Sequence, residues 1–198
     1  MKTYGDYRDI INSYWFSKNY MEWMINGHKY DNEINENFKW ILNEAENGQL
    51  EYYKDTKKGF LAYIILLDQI SRHIYRGTNK AYKNDIIVCS FLKKHMDKHL
   101  HKYTAIEKMF ILMPLQHSEN IDDQKLGIKI LSDLIKNTSD KSESKLLKEV
   151  LFHQKGHHDV IKKFGRFPKR NIFFKDRINT IDEKKYINEE KSEVNKPY

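Results

Sequence analysis

The stretch GFLAYIILLDQISRHIYRG, residues 59–77, decides the fold of this chain. Its first half, residues 60–67, is apolar at every position, and a helix that is apolar on all sides is buried on all sides. Eight apolar residues are too few to cross a bilayer. We therefore predict a buried central helix, residues 57–76, around which the other helices pack.

The second half of this helix carries charged and polar side chains. Asp68, Arg72 and Arg76 follow one another at intervals of four residues, which places them on one helical face, and Gln69 lies beside them. Because an unpaired buried charge is very costly, the rest of the chain must bring polar partners to this end of the helix. We predict that these four side chains either bind a ligand in a pocket or form a structural ladder between helices.

Length and composition limit the fold class. The chain has 198 residues, enough for one good-sized domain, and its 3 prolines and 8 glycines suit an all-helical protein. One cysteine, Cys89, rules out an intramolecular disulfide and a cysteine-rich zinc site. The first 25 residues lack the apolar core of a signal peptide, so we expect a soluble, cytoplasmic protein without a membrane partner.

Helical periodicity predicts an all-α fold of about eight helices, stacked as antiparallel hairpins. The last of them should begin at Thr180-x-x-Glu183, which has the pattern of a capping box. We predict one α-helical domain over residues 1–189 and a frayed polar tail over residues 190–198.

Capping residues and prolines predict where individual helices begin and end. Thr56 and Thr104 are expected N-caps. A helix from about residue 79 to about residue 98 should turn Ile86 inward. The helix after Thr104 should run to about Leu112, and Pro114 should limit it or bend it.

The sequence HSEN, residues 117–120, carries candidate catalytic residues. His117 has the chemistry of a general base, and Glu119 that of an acid or an orienting carboxylate. The alternative is helix capping, with Ser118 or Asn120 as the N-cap and Glu119 near the positive end of the next helix. The motif alone does not decide between the two.

Two histidine pairs have the spacing of zinc ligands, His153 with His157 and His95 with His99. A catalytic zinc needs three protein ligands, and each pair supplies two, so we predict no metal site and no other cofactor. His157 stays a candidate acid or base. The chain has no glycine-rich phosphate loop and no nucleophile elbow, which leaves covalent catalysis unsupported.

A second polar segment, FGRFPKRN, spans residues 164–171. Its glycine breaks a helix and its proline stiffens a turn, so Arg166 and Arg170 should have fixed directions. Their planar guanidinium groups suit a carboxylate or a phosphate, and Asn171 follows as a further candidate ligand-binding residue. The alternative is that these arginines neutralise internal carboxylates, Asp68 among them.

The net charge of +7 is concentrated in one window, residues 162–177, which holds seven basic residues and one acidic residue. Such a window attracts anions, whether a small phosphate, an acidic partner or a nucleic acid. Four phenylalanines lie among the basic residues, as in some platforms for single-stranded nucleic acid. Phenylalanines of an irregular segment more often fill the core, so nucleic-acid binding is the less expected function.

Together these motifs resemble the domain-of-unknown-function family 924, found mostly in bacteria. Four segments carry the likeness, occur in the family's order and cover nearly the whole chain: Trp15–Phe16 with Tyr30–Asp31, LLDQISRHIYRG at 66–77, MPLQHSEN at 113–120 with Gln124, and HHDVIKKFGRFPKRN at 157–171 with the capping box after it.

The resemblance implies a fold similar to the tetratricopeptide-like superfamily, a right-handed superhelix, and implies no established activity. The chain departs from the family at residues 70–73, Ile-Ser-Arg-His, where Phe-Pro-Arg-Asn is usual, and at Lys169, where a histidine is usual. The family's polar positions correspond here to Asp31, Asp68, Gln69, Arg72, Arg76, His117, Ser118, Glu119, Gln124, His157, Arg166, Arg170 and Asn171.

Three functions fit these observations. The first is binding of a small phosphate- or carboxylate-bearing ligand, with His117 or His157 as the acid or base if the protein is an enzyme. The second is a scaffold whose groove takes a peptide or protein partner. The third is RNA or DNA binding through residues 162–177. The first requires that these side chains converge: Asp68, Arg72, His117, Glu119, His157, Arg166 and Arg170.

Overall fold

A computed structural model describes residues 6–194 of the chain, with side chains described to residue 189. The described residues form α-helices joined by turns and short 3-10 helices, and they contain no β-strand. The predicted all-α fold is confirmed, whereas the right-handed superhelix stays a prediction. The α-helices are α1 (Arg8–Phe16), α2 (Tyr20–Asn26), α3 (Asp31–Glu46), α4 (Lys57–Ile64), α5 (Ser71–Ile74), α6 (Asp85–His95), α7 (Ala105–His117), α8 (Ile121–Asn137), α9 (Lys141–Phe164) and α10 (Ile181–Val194).

The predicted central helix consists of α4, a π-helical turn over Ile65–Ile70, and α5. All residues from 59 to 71 are buried, as the apolar run predicts. The Thr56 side chain accepts a hydrogen bond from the backbone N–H of Gly59 at 3.1 Å, which confirms it as the N-cap. Shortly after α5, Gly77 adopts the left-handed conformation (φ 76°) and turns the chain away.

The π-helical turn is the part of this helix that the sequence pattern did not predict. Its hydrogen bonds reach one residue further than those of an α-helix, and such turns are rare and frequent at functional sites. This turn contains Asp68 and Gln69, both of which are buried. The polar end of the central helix is therefore also its irregular end.

The other helices surround the central helix in two groups. Helices α1, α3, α6 and α7 contact it directly, and α8 and α9 form a hairpin that packs on α7. The hairpin is tight where Gly127 faces Gln154, since a Cβ atom on this glycine would lie 2.7 Å from the glutamine side chain. This packing brings the loop between α7 and α8 next to the polar end of the central helix.

The predicted end of helix α7 near Leu112 is wrong. The helix contains Pro114 and continues to His117. A proline inside a helix costs roughly 3 kcal/mol, because one hydrogen bond is lost and the ring meets the preceding turn. The residues from Pro114 to Gln116 are all buried. Their burial offsets this cost and holds the last turn of α7 against the central helix. The predicted N-cap Thr104 is confirmed, and it forms a capping box with Glu107.

The predicted fourth helix is divided into a 3-10 helix, Asn79–Tyr82, and α6. The break changes the phase of the following residues, so Ile86 is 84% exposed instead of buried. Asp85 points inward in its place, with its side chain 12% exposed. The prediction for Ile86 is therefore wrong, and a carboxylate takes the inward position.

Helix α9 ends at Gly165, which is left-handed (φ 70°) and donates its backbone N–H to the carbonyl of Ile161 at 2.8 Å. Helix α10 extends to Val194, into the segment 190–198 that we predict as a tail. Residues 195–198 lie outside the described residues, and the tail stays a prediction. Within residues 6–194, no helix has both the length and the apolar character needed to span a membrane.

Candidate functional site

Asp68 is the centre of the candidate site. Its side chain is fully buried and accepts hydrogen bonds from Nδ1 of His117 (2.7 Å), from Nη2 of Arg72 (3.3 Å) and from the amide of Gln69. Burial alone would raise the pKa of Asp68, but the interactions with His117 and Arg72 outweigh it and hold the pKa at about 2. The carboxylate is therefore ionised throughout the physiological pH range.

A second carboxylate, Asp85 at the start of α6, joins two arginines. Its Oδ1 atom accepts from Nη2 of Arg72 at 2.8 Å, and its Oδ2 atom accepts from Nη1 of Arg170 at 3.0 Å. Arg170 also donates to the backbone carbonyl of His117 at 2.9 Å. The result is a continuous series that alternates basic and acidic groups, which we call the charge chain: His117, Asp68, Arg72, Asp85 and Arg170.

Burial dominates the electrostatics at the Asp85–Arg170 end of the charge chain, in contrast to Asp68. It raises the pKa of Asp85 even though two arginines bind this carboxylate, and it lowers the pKa of Arg170. Both shifts reflect the cost of removing an ion from water. Each ion in the series is stabilised by its neighbours rather than by solvent, so the five groups act as one unit.

His117 differs from the other members because about a fifth of its side chain (21%) is exposed. Burial and Arg72 lower the pKa of His117, although Asp68 opposes the shift. The imidazole is then neutral near pH 7, with the Nδ1 proton donated to Asp68. A histidine oriented in this way by a carboxylate has a basic Nε2, which is the arrangement of a general base.

A groove of about 780 Å³ opens beside the charge chain. Its lining includes Asp85 and Arg170, together with Lys93, Ser118 and Arg177. The guanidinium of Arg170 lies 4.5 Å from the ring centres of both Tyr82 and Phe167, and that of Arg177 lies 4.3 Å from Phe174. Aromatic rings thus fix the direction of both arginines at the groove.

The HSEN loop forms one end of this groove, and polar contacts fix its shape. Asn120, one of the two predicted N-caps, caps α8 by accepting from the N–H of Asp122 at 2.8 Å. Ser118 instead donates to Asp123 at 2.7 Å. The amide of Gln124 donates to two carbonyls of the loop, those of Gln116 and Ser118, at 2.8 and 2.7 Å.

Glu119 connects the HSEN loop to the C-terminal segment. Its two oxygens accept from both Nη atoms of Arg177 at 2.9 and 2.7 Å, and one of them also accepts from the backbone N–H of Phe167. Burial would raise the pKa of Glu119, but Arg177 and the Phe167 N–H outweigh it and lower the pKa. In this state Glu119 is an ionised carboxylate with its hydrogen bonds satisfied.

Two of the predicted ligand-binding residues form a separate cluster around Glu183. Arg166 donates to both oxygens of this carboxylate at 2.7 and 3.0 Å, and Asn171 donates to it at 3.4 Å. Glu183 also accepts from the backbone N–H of Thr180, which confirms the predicted capping box. Arg166 and Asn171 therefore hold the start of α10 and do not contact the charge chain through any of these bonds.

The remaining predicted residues lie at the margins of the site. Arg76 leaves the Asp68–Arg72 ladder and donates to Asp31 at 2.6 Å, with 48% of its side chain exposed. His157 packs its ring against Phe167 with the centres 5.4 Å apart. Since Phe167 also contacts Arg170, His157 is one aromatic ring away from the charge chain.

Sequence reasoning missed Asp85, which is the second carboxylate of the charge chain. An aspartate that follows an asparagine before an apolar run is typical of an exposed helix start. The charge balance could have identified it. Arg72 and Arg170 are two buried positive charges and Asp68 is one negative charge, so a second carboxylate is needed to pair them.

Comparison with known proteins agrees with the all-helical architecture. The model of a family described as bacterial protein of unknown function (DUF924) matches residues 11–191. The structure of a protein of unknown function from Agrobacterium tumefaciens matches with a TM-score of 0.80 and 24% sequence identity, over 92% of this chain and 97% of that chain. At this identity the likeness shows the fold alone. No curated protein matches the chain.

Proposed function

The chain belongs to the DUF924 family of bacterial proteins, and we propose that it binds a small anionic ligand, phosphate- or carboxylate-bearing, in the groove beside the charge chain. The observation that carries this proposal is the charge chain itself, a series of five buried or half-buried ionisable groups next to an open groove. Buried ion pairs contribute little net stability, and apolar replacements are often equally stable. Stability alone therefore does not account for the series.

The lining of the groove supports an anionic ligand over a cationic one. Four basic side chains line it, Lys83, Lys93, Arg170 and Arg177, against three carboxylates. Each of the four is paired with a carboxylate of the chain, so the lining carries a small excess of positive charge. The two arginines lie over aromatic rings, so they lose little conformational entropy when a ligand binds. Guanidinium groups fixed in this way suit the planar or tetrahedral oxygens of a carboxylate or a phosphate.

His117 does not line the groove itself, but it precedes the lining residue Ser118 and gives the site a potential acid–base group. Its Nδ1 atom is bound to Asp68, which leaves Nε2 as the atom able to accept a proton from a ligand. We propose that, if the bound ligand reacts, His117 removes the proton while Arg170 and Arg177 stabilise the negative charge that develops. Asp68 would then act as a positioning residue that maintains the tautomer and orientation of the imidazole.

The internal ion pairs of the basic window argue against nucleic-acid binding as the main function. Of its seven basic residues, three are neutralised by carboxylates of the chain: Arg166 by Glu183, Arg170 by Asp85 and Arg177 by Glu119. Each pair reduces the charge available to release counterions from a nucleic acid. A salt series with single-stranded RNA tests the remaining charge of the window directly.

The test is a thermal-shift screen of the native chain with inorganic phosphate, phosphorylated metabolites and dicarboxylates. Binding to the folded state alone raises apparent stability by RT ln(1 + [L]/Kd), so a ligand at about 100 times its Kd adds about 2.7 kcal/mol. Calorimetry then gives the Kd of each compound that shifts the transition. Phosphate and dicarboxylates together distinguish a tetrahedral from a planar anion.

Arg177→Gln is the decisive variant, and Lys163→Ala is its matched control. Arg177 lines the groove, whereas Lys163 is an exposed basic residue of the same window that does not. We expect the arginine variant to weaken binding at least tenfold and the lysine variant to leave the Kd unchanged. Equal weakening in both, with a steep salt dependence, would instead support a nucleic-acid surface.

A further inference from the structure

Three aromatic side chains surround the ammonium group of Lys18, and none of them lines the groove. The Nζ atom lies 4.6 Å from the ring centre of Tyr30, 5.0 Å from that of Tyr14 and 5.7 Å from that of Trp23. Among the described residues, Lys18 has no salt bridge. We call the three rings, Tyr14, Trp23 and Tyr30, the aromatic cage.

Carboxylates add negative potential at the aromatic cage. The hydroxyl of Tyr30 donates to Glu22 at 3.1 Å. Burial and the nearby Glu33 raise the pKa of Tyr14, so its hydroxyl stays protonated. The cage thus combines the negative faces of aromatic rings with two anionic groups, which favours a cation over a neutral apolar group.

The core of the protein holds the cage rigid. Trp23 stacks on the buried Trp15 with the ring centres 4.2 Å apart and the planes 2° from parallel, and its Nε1 donates to the Trp15 carbonyl at 2.8 Å. Tyr14 packs on the buried Phe38 with centres 4.8 Å apart. A site whose walls are fixed before binding loses little entropy when a ligand enters.

The dimensions of the cage suit a larger cation than a primary ammonium. A methyl group placed between a nitrogen and a ring needs roughly 5 Å, from an N–C bond of about 1.5 Å and a carbon contact of about 3.5 Å. The three observed separations lie close to this value. A quaternary nitrogen at this position would therefore bring its N-methyl groups close to contact distance from the rings.

We infer that the aromatic cage is a binding site for a methylated ammonium group, and that Lys18 occupies it as a displaceable side chain of the same chain. Lys18 lies in the short link between α1 and α2 and is half-buried. It is held by its contacts with the three rings, and within residues 6–189 it forms no salt bridge. A quaternary ammonium ligand competes with it for the same three faces.

The experiment compares the native chain with Lys18→Ala in calorimetric titrations of tetramethylammonium and choline. We expect the variant to bind both at least about tenfold more tightly, because the competing ammonium is gone. The neutral analogue 3,3-dimethylbutan-1-ol has the shape of choline without its charge and should not bind. Lys18→Met, which keeps most of the stem, replaces the alanine variant if that one does not fold.

Variants of Tyr30 and Lys29 complete the test. In the Lys18→Ala background, Tyr30→Phe keeps the ring and should retain binding, whereas Tyr30→Ala should abolish it. Lys29→Ala removes a neighbouring lysine outside the cage and should leave the affinity of the native chain unchanged. The inference is overturned if Lys18→Ala binds tetramethylammonium no more tightly than the native chain, or if the neutral alcohol binds equally well.

Discussion

Two aspartate–histidine pairs involve the central helix, and their bonds are almost identical. In one, Nδ1 of His73 lies 2.8 Å from Asp31, and in the other, Nδ1 of His117 lies 2.7 Å from Asp68. The central helix supplies the histidine of the first pair and the aspartate of the second. What differs is the environment on either side of the bond.

In the first pair the histidine is enclosed and the carboxylate faces outward. His73 is 8% exposed, with Trp15 and Trp23 against its ring, and Asp31 takes its second cation from the half-exposed Arg76. In the second pair Asp68 is enclosed and His117 lies at the surface. The same hydrogen bond therefore anchors a core histidine in one place and orients a partly exposed histidine in the other.

The largest expected effect is the loss of the buried carboxylate. Asp68→Ala leaves Arg72 with one carboxylate fewer and His117 without an acceptor, and breaking a buried pair costs about 3–5 kcal/mol. Asp31→Ala breaks a pair that is partly in water and should cost about 1–2 kcal/mol. Urea denaturation measures both, and equal losses would remove the distinction between the two pairs.

An intermediate effect on the free energy of unfolding is expected for one arginine near each pair. These are Arg170, which binds the His117 carbonyl, and Arg76, which binds Asp31. Arg170→Lys keeps the charge but loses the fork that joins Asp85 to the His117 carbonyl, which should cost about 1–2 kcal/mol. Arg76→Lys should change the free energy of unfolding by no more than about 0.5 kcal/mol, because this side chain is half exposed. A larger loss for Arg76→Lys would contradict this order.

A smaller effect is expected in the pH dependence of stability. Burial lowers the pKa of both His73 and His117 below the ordinary value of 6.5, so the unfolded chain binds protons more readily than the folded chain. Stability should therefore fall as the pH falls below about 6.5. Replacing either histidine by Asn should make the melting temperature depend less on pH between about pH 7 and pH 5.

The smallest effect is expected for the stability of the two asparagine variants at pH 7. His73→Asn replaces the imidazole by an amide, which can donate to Asp31 in the same way. We expect a change of less than about 1 kcal/mol. His117→Asn should be similarly tolerated by the fold and should abolish any acid–base reaction in the groove, which separates anchoring from chemistry.

The central helix was predicted well because the signals for it lie within the helix itself and at its N-cap. A fully apolar run of eight residues has few alternatives to burial, and Thr56 is a local signal for a helix start. The charges that follow predicted that polar partners must exist, but not which ones. Asp85 was missed because its inward direction depends on a break in helix phase after Tyr82, which periodicity alone does not reveal.

The site was predicted only in part because pairing is a tertiary property. Arg166 and Arg170 are four residues apart and look alike in the sequence, yet one binds Glu183 and the other binds Asp85. At Pro114 the local rule that proline ends a helix gave a wrong helix end. The burial of the surrounding residues outweighs that rule. Local preference sets the elements, and the packed environment decides between equivalent partners.

The bond between Arg170 and Asp85 joins residues that are 85 positions apart in the chain. During synthesis on a ribosome, Asp68, Arg72 and Asp85 emerge well before Arg170, so the nascent chain carries a carboxylate that still lacks one of its two cations. The entropy of closing so long a loop rises slowly with length, by about 0.6 kcal/mol per doubling, and does not prevent the contact. The groove can therefore be completed only after most of the protein has been made, and a nascent chain stopped before residue 170 carries an open one.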